Sequence, residues 1–178
     1  MRRLCLLWIA ACTGLTLLAC ESTGEPVTGY EALPADHILI DAWHVLLSNG
    51  VRSAIVYFDT MYMFEDSSKY HFVSLRIELF ANSGQPTGTV TANRGVLDER
   101  SQLMVGNGNV HLVTVDGDRT IDTEEMFYDP TTRQLWSDST TYLLESGRRY
   151  VGSSFRSDDA FQQFDIENPR AVSGGGAP

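Results

Sequence analysis

Reaction chemistry in this chain would have to come from four histidines, a few paired acids, or three cysteines at positions 5, 12 and 20. His37, His44, His71 and His111 are not spaced as His-Glu-x-x-His or any similar ligand pattern, so no metal site is expected. A serine nucleophile would need a Gly-x-Ser-x-Gly elbow between a strand and a helix, and none occurs. Nothing downstream of Cys20 can form a disulfide, a thiolate zinc site or a cysteine nucleophile, because no cysteine follows it. Gly106-Asn107-Gly108 lacks the lysine and the helix of a phosphate loop, which leaves a turn or a bulge. Glu124-Glu125 and Asp158-Asp159 point to opposite sides of an extended chain and cannot share a proton, so solvated turns are expected for both. His111 alternates with Val110 and Leu112 and belongs outside, and His71 belongs at the rim of its strand. The expectation is a protein without catalysis, metal or cofactor.

Composition narrows the remaining classes. The chain has 178 residues, 43% hydrophobic and 20% charged, with a net charge of −10 and a pI near 4.7. That apolar fraction suits one folded domain rather than a disordered chain. The acidic balance argues against nucleic acid as a partner, since phosphate binding needs clustered Lys and Arg.

The N-terminus is an address. Arg2 and Arg3 form a positive start, and Leu4 to Leu18 form an apolar run too short to cross a bilayer core. Leu17-Leu18-Ala19-Cys20 resembles the bacterial lipobox, in which cleavage before the cysteine is followed by acylation of that residue. Residues 1–19 are therefore expected to be a signal peptide, and Cys20 the lipidated residue that holds the protein to a membrane. Residues 20–34, poor in large apolar side chains and carrying two prolines, are expected to be a flexible tether. The domain should span 35–167, with 168–178 a disordered Gly-rich tail. Pro169 cannot donate to a strand ladder, so the last strand edge should end near Ile166.

Between these ends the period is two. His71 to Leu79 alternates, with Val73, Leu75, Ile77 and Leu79 on one face and Ser74, Arg76 and Glu78 on the other. Asn49-Gly50 lies between two runs rich in β-branched and aromatic residues, the strongest short hairpin signal. Turn residues recur at Asn82-Ser83-Gly84, Asp116-Gly117-Asp118, Asp129-Pro130-Thr131 and Ser146-Gly147. An internal repeat places Asp98, Asp129 and Asp158 each after a short strand, where a carboxylate can accept N–H groups of the turn. The expected fold is all-β, a twisted antiparallel β-jelly roll of stacked hairpins with a continuous apolar interior.

With the repeat in hand, the chain resembles the LptC family of lipopolysaccharide export. The pieces in order are Asn49-Gly50-Val51-Arg52, Leu75 to Phe80 with Ser83-Gly84, Thr91-Ala92 with Gly95 to Asp98, and Gly108-Asn109-Val110. Thr123 with Met126, Tyr128 and Asp129 follows, then Leu135 with Ser137-Asp138, then Gly152 to Asp158. The sequence departs from the family in three ways. It has a lipobox where members usually have a membrane helix, Gly152-Ser153-Ser154-Phe155 where they have Gly-x-Gly-Phe, and Thr141 where they have valine.

The resemblance implies a jelly roll of the LptA/LptC type. Such a protein stands in the periplasm and relays lipopolysaccharide from an inner-membrane ABC transporter to a periplasmic LptA-like carrier. The family favours the inner membrane for its anchor, and the lipobox leaves the outer membrane open as well. Alternation and repeat alignment nominate Val73, Leu75, Ile77, Leu79, Val110, Leu112, Met126, Leu135 and Phe155 for the inner face that would hold lipid A chains. Gly152 is nominated for carrier docking near the C-terminal edge, with the N-terminal edge near Ile38–Trp43 facing the transporter. Period two gives facing but not the separation of the sheets, so a closed sandwich core in a structural lipoprotein fits the same residues. So does a relative of the soluble carrier.

Overall fold

Two-residue turns with both central residues at positive φ match the right-handed twist of antiparallel strands, and two occur among the described residues. Asn49 and Gly50 adopt φ of 51° and 78°, joining β1 (His37–Ser48) to β2 (Val51–Phe64). Ser146 and Gly147, at 48° and 77°, join β8 (Thr141–Glu145) to β9 (Arg148–Gly152) in the same way. The computed structural model describes residues 35–64 and 66–172; Cys20, the expected signal peptide and tether, and residues 173–178 of the tail expected at 168–178 lie outside the described residues.

The remaining strands are β3 (Lys69–Phe80), β4 (Pro86–Asp98), β5 (Met104–Thr114), β6 (Arg119–Asp129), β7 (Gln134–Ser137), β10 (Ser154–Asp158), β11 (Phe164–Glu167) and β12 (Arg170–Ala171). All pair antiparallel in one sheet. The order β1-β2-β3-β4-β5-β6-β7-β10-β11 carries a side path from β6 through β8 and β9 to β12. That branching has a simple origin. The first part of β6 pairs with β8 and its last part with β7, so β7 and β8 are one long strand broken at 138–140. β9 with β10, broken at Ser153, and β11 with β12, broken at Asn168 and Pro169, follow the same rule.

The breaks continue a seam that crosses the unbroken strands too. Asp41, Ser74, Gly108 and Asn109 lie at positive φ, and the ladders skip residues beside each of them. At the seam the inward parity changes. Phe72 and Leu75 are both buried with Val73 and Ser74 exposed between them, and Ala92 and Gly95 flank exposed Asn93 and Arg94 in the same way. β5 carries an extra residue there, which makes Gly106-Asn107-Gly108 the approach to a β-bulge.

The seam divides the sheet into two halves that fold toward each other over one apolar core. The first half contains 42–48, 51–58, 75–80, 86–92, 110–114 and 119–123; the second contains 60–64, 69–73, 94–98, 104–107 and 125–129. Side chains of strands that are not neighbours meet as a result: His44 of β1 packs edge-on against Tyr70 of β3, and Tyr128 of β6 faces Ser53 of β2.

The three repeated aspartates close the turns. Asp98 accepts N–H from Arg100 and Ser101, Asp129 from Thr131 and Thr132, and Asp158 from Gln162 and Gln163. The Ser101 N–H leads in holding the Asp98 carboxyl below the usual carboxylate range.

The sheet also runs further than Ile166. Pro169 sits in the break between β11 and β12, where its missing N–H costs no ladder bond, and Arg170 and Ala171 then pair with Val151 and Tyr150.

Candidate functional site

Antiparallel register puts side chains on one face of adjacent strands directly opposite one another, about 4.8 Å apart. In the first half-sheet this produces one row across the strands: Val56, Ile77, Val90, Leu112, Ile121, Leu143 and Tyr150. Six spacings of about 4.8 Å make an apolar track roughly 30 Å long. The facing row in the second half-sheet is Met63, Tyr70, Leu97, Met104, Tyr128 and Leu135. Both rows belong to one core, and Ile77, Leu112 and Leu135 are 3%, 0% and 1% exposed. At that end of the sheet, on the outward side, Tyr142, Leu144 and Val172 line an open pocket of about 450 Å³ together with Thr120, Asp122 and Arg149.

Eight of the nine nominated inner residues lie on this face: Leu75, Ile77, Leu79, Val110, Leu112, Met126, Leu135 and Phe155 are buried. Val73 is not among them. It stands 39% exposed because Ser74, at φ 55°, turns the strand over between Val73 and Leu75. The inner position before the seam belongs to Phe72.

Gly152 is buried at the end of β9 rather than standing on an open edge. A Cβ there would lie 2.4 Å from Ile166 Cγ1 and 2.8 Å from the Glu167 carbonyl oxygen. Its glycine is required by that close approach of β11, whose own outer side forms the margin of the sheet together with β12.

His111, His71 and His44 stand at separate places. His111 points outward and pairs with Asp122 at 2.6 Å, both well exposed. His71 stands at the start of β3, edge-on to Phe64. His44 lies on the inner side, and burial lowers its pKa against the opposing charge of Glu99. Among the described residues no group of His, Cys, Asp and Glu is placed to hold a metal ion.

A buried polar cluster joins the free margins of the two half-sheets, and Asp159, expected in a solvated turn, is its centre. Asp158 does face the turn, but Asp159 points the other way and is 2% exposed. Arg133 Nε donates to Asp159 Oδ1 at 3.2 Å, with Nη2 2.9 Å from Oδ2. The Tyr128 hydroxyl donates to Oδ2 at 3.3 Å. Arg133 Nη2 also donates to the carbonyl of Phe80, and Thr87 Oγ1 to the carbonyl of Asp159 at 2.5 Å. Burial raises the Asp159 carboxyl to about 6, against the pull of the Arg133 charge, and burial pushes the Tyr128 phenol far up. Sequence reasoning missed this cluster because its members lie 26 to 72 positions apart. The doublet Asp158-Asp159 after a strand gave no signal of its own, since the doublet Glu124-Glu125 turns neither acid into the core.

A family model described as "Lipopolysaccharide-assembly, LptC-related" matches residues 44–168 of this chain. Among solved structures, it is similar to LptH from Pseudomonas aeruginosa, described as the LptA homologous periplasmic component of the conserved lipopolysaccharide transport device. The TM-score is 0.52 at 11% identity, over 68% of this chain and 95% of that one, a likeness of fold. No match was found among curated proteins.

Proposed function

Because the chain belongs to the LptC-related family of lipopolysaccharide assembly, we propose that it binds lipid A acyl chains between its two half-sheets and relays them toward a periplasmic carrier. As a component of lipopolysaccharide transport it acts in the periplasm, and its partners are lipopolysaccharide and other members of that machinery. The observation that carries the finer reading is the pair of facing apolar rows. Each acyl CH₂ taken from water is worth about 0.8 kcal/mol, and a row of this length can follow a whole chain. A photo-crosslinker replacing Ile77 should capture lipopolysaccharide in cells. The same group at the outward positions Arg76 and Glu78 should capture at least tenfold less, and at Val73 no more than at those two. Equal capture at inward and outward positions would favour a closed core in a structural lipoprotein and end the groove reading.

The anchor and the docking edges complete the proposal. Cys20 carries the acyl chains that tie the domain to a membrane, so Cys20→Ala should abolish palmitate incorporation and leave an uncleaved or soluble protein. Labelling that persists in this variant would remove the lipobox reading. β1 is one margin of the sheet, and its Ile40, Trp43 and Leu47 are 70%, 63% and 59% exposed. That combination suits strand addition by an apolar partner such as the transporter. The carrier then meets the opposite margin at β11 and β12. Gly152 acts there through Ile166, by letting β11 lie close against β9.

A further inference from the structure

Resting on the groove reading above, we infer that Arg133, Asp159 and Phe161 form a clasp that must open before acyl chains reach the inner rows. The ends of the rows, at Met63, Tyr70 and Tyr150, are half-buried, but their middles are closed, with Ile77 and Leu112 buried, so a chain can touch those two only after the half-sheets part. The clasp lies where parting would begin. It ties the rim of the first half-sheet, at Phe80, Thr87, Gly88 and Arg119, to the β6–β7 and β10–β11 turns of the second.

The manner of joining differs from the rest of the sheet. Neighbouring strands are held by backbone ladders, whereas this margin is held by side chains alone: Arg133 to Phe80, Thr87 to Asp159, and Arg119 Nη1 to the Phe161 carbonyl at 3.1 Å. Opening it breaks no strand pairing. Phe161 serves as the plug. Its ring fills the space beside Gly88 so fully that a Cβ on Gly88 would lie 2.9 Å from it. The join is also poorly suited to be a permanent staple. Arg133 and Phe161 both lie in the left-handed region, at φ 58° and 55°, where side chains are disfavoured. Buried Arg133 Nη1 has no hydrogen-bond partner among the described residues. The bulged seam opposite supplies the line about which the halves can part.

The test combines the Ile77 photo-crosslinker with Thr87→Cys and Ala160→Cys, in the full chain in cells. A short reducible bis-thiosulfonate bridges the two thiols, and each single cysteine variant treated with the same reagent is the control. Bridging should lower lipopolysaccharide capture at least tenfold, and reduction should restore it. In a second arm, Phe161→Ala keeps the ion pair but removes the plug; it should raise capture and speed amide exchange in 80–88 and 158–163. Equal capture by bridged and unbridged protein, or no change on Phe161→Ala, overturns the clasp while the groove stands. No capture at Ile77 in the unbridged protein overturns the groove, and the clasp with it.

Discussion

Gly152→Ala should lower the unfolding free energy by about 3 kcal/mol, the upper end of the cost of forcing one extra group into a packed site. For a domain of this size that is a fall of roughly 6–12 °C in Tm. The added methyl would overlap the Ile166 side chain at 2.4 Å and 2.8 Å, and the Glu167 carbonyl oxygen at 2.8 Å. The side chain can move and the carbonyl cannot, because it accepts the Ser153 N–H at 3.0 Å. Ile166→Ala in the same chain should therefore recover part of the loss, giving a coupling of roughly 1 kcal/mol in a double-mutant cycle. Gly152→Arg should abolish the pairing of β11 with β10, so loss of carrier capture in that variant would follow from local unfolding. The cycle, read from urea unfolding midpoints, separates packing from docking. A Gly152→Ala protein as stable as wild type would show that β11 does not press on β9.

The fold was legible where local rules and tertiary contacts agree. Asn49-Gly50 carries its turn in its own residue types, Ser146-Gly147 is marked by its glycine alone, and period two put Leu75, Ile77 and Leu79 on the right face. Val73 was misplaced for one reason: serine carries no mark for positive φ, so the parity change at Ser74 cannot be read from alternation. The seam is clear only in the ladders, because its bulge in β5 and its breaks at 138–140 and at Ser153 line up across strands far apart in sequence. Pro169 misled in the same way, since a proline ends a strand locally but fits a break whose position is set by neighbouring strands. The clasp was least legible. Nothing near Asp159 in sequence distinguishes it from Asp158; only the fold brings Arg133, Tyr128 and Thr87 to one of the two.

Arg133→Met should cost about 3–5 kcal/mol, because it leaves the Asp159 carboxylate buried without its compensating charge. Asp159→Leu should be similarly costly, leaving the guanidinium unpaired. The double variant Arg133→Met, Asp159→Leu should return most of the way to wild type, since a buried pair replaced by apolar groups of similar volume is often neutral or better. The pH dependence has its own sign. The Asp159 carboxyl titrates near 6 in the folded protein against about 3.9 in an unfolded chain, so the native state holds its proton more tightly. That contribution is fully present below about pH 4 and is lost as pH rises through 6; at 1.4 kcal/mol per unit it amounts to roughly 3 kcal/mol. The groups facing Asp159 are Arg133, which opposes the shift, Tyr128, neutral throughout this range, and Asp158 on the same turn. Asp98 and Asp116, whose carboxyls are held low by turn N–H groups and the Thr114 hydroxyl, lose their contributions on the acid side instead. From pH 5 to 7 the Asp159 contribution therefore falls, while His44, whose pKa burial lowers, adds stability as pH rises through the same interval. Wild type should lose stability relative to Asp159→Asn, whose own slope is that of His44. A wild-type urea midpoint that runs parallel to that of Asp159→Asn over that interval would mean that Asp159 is already ionised in the folded state, its charge fully met by Arg133.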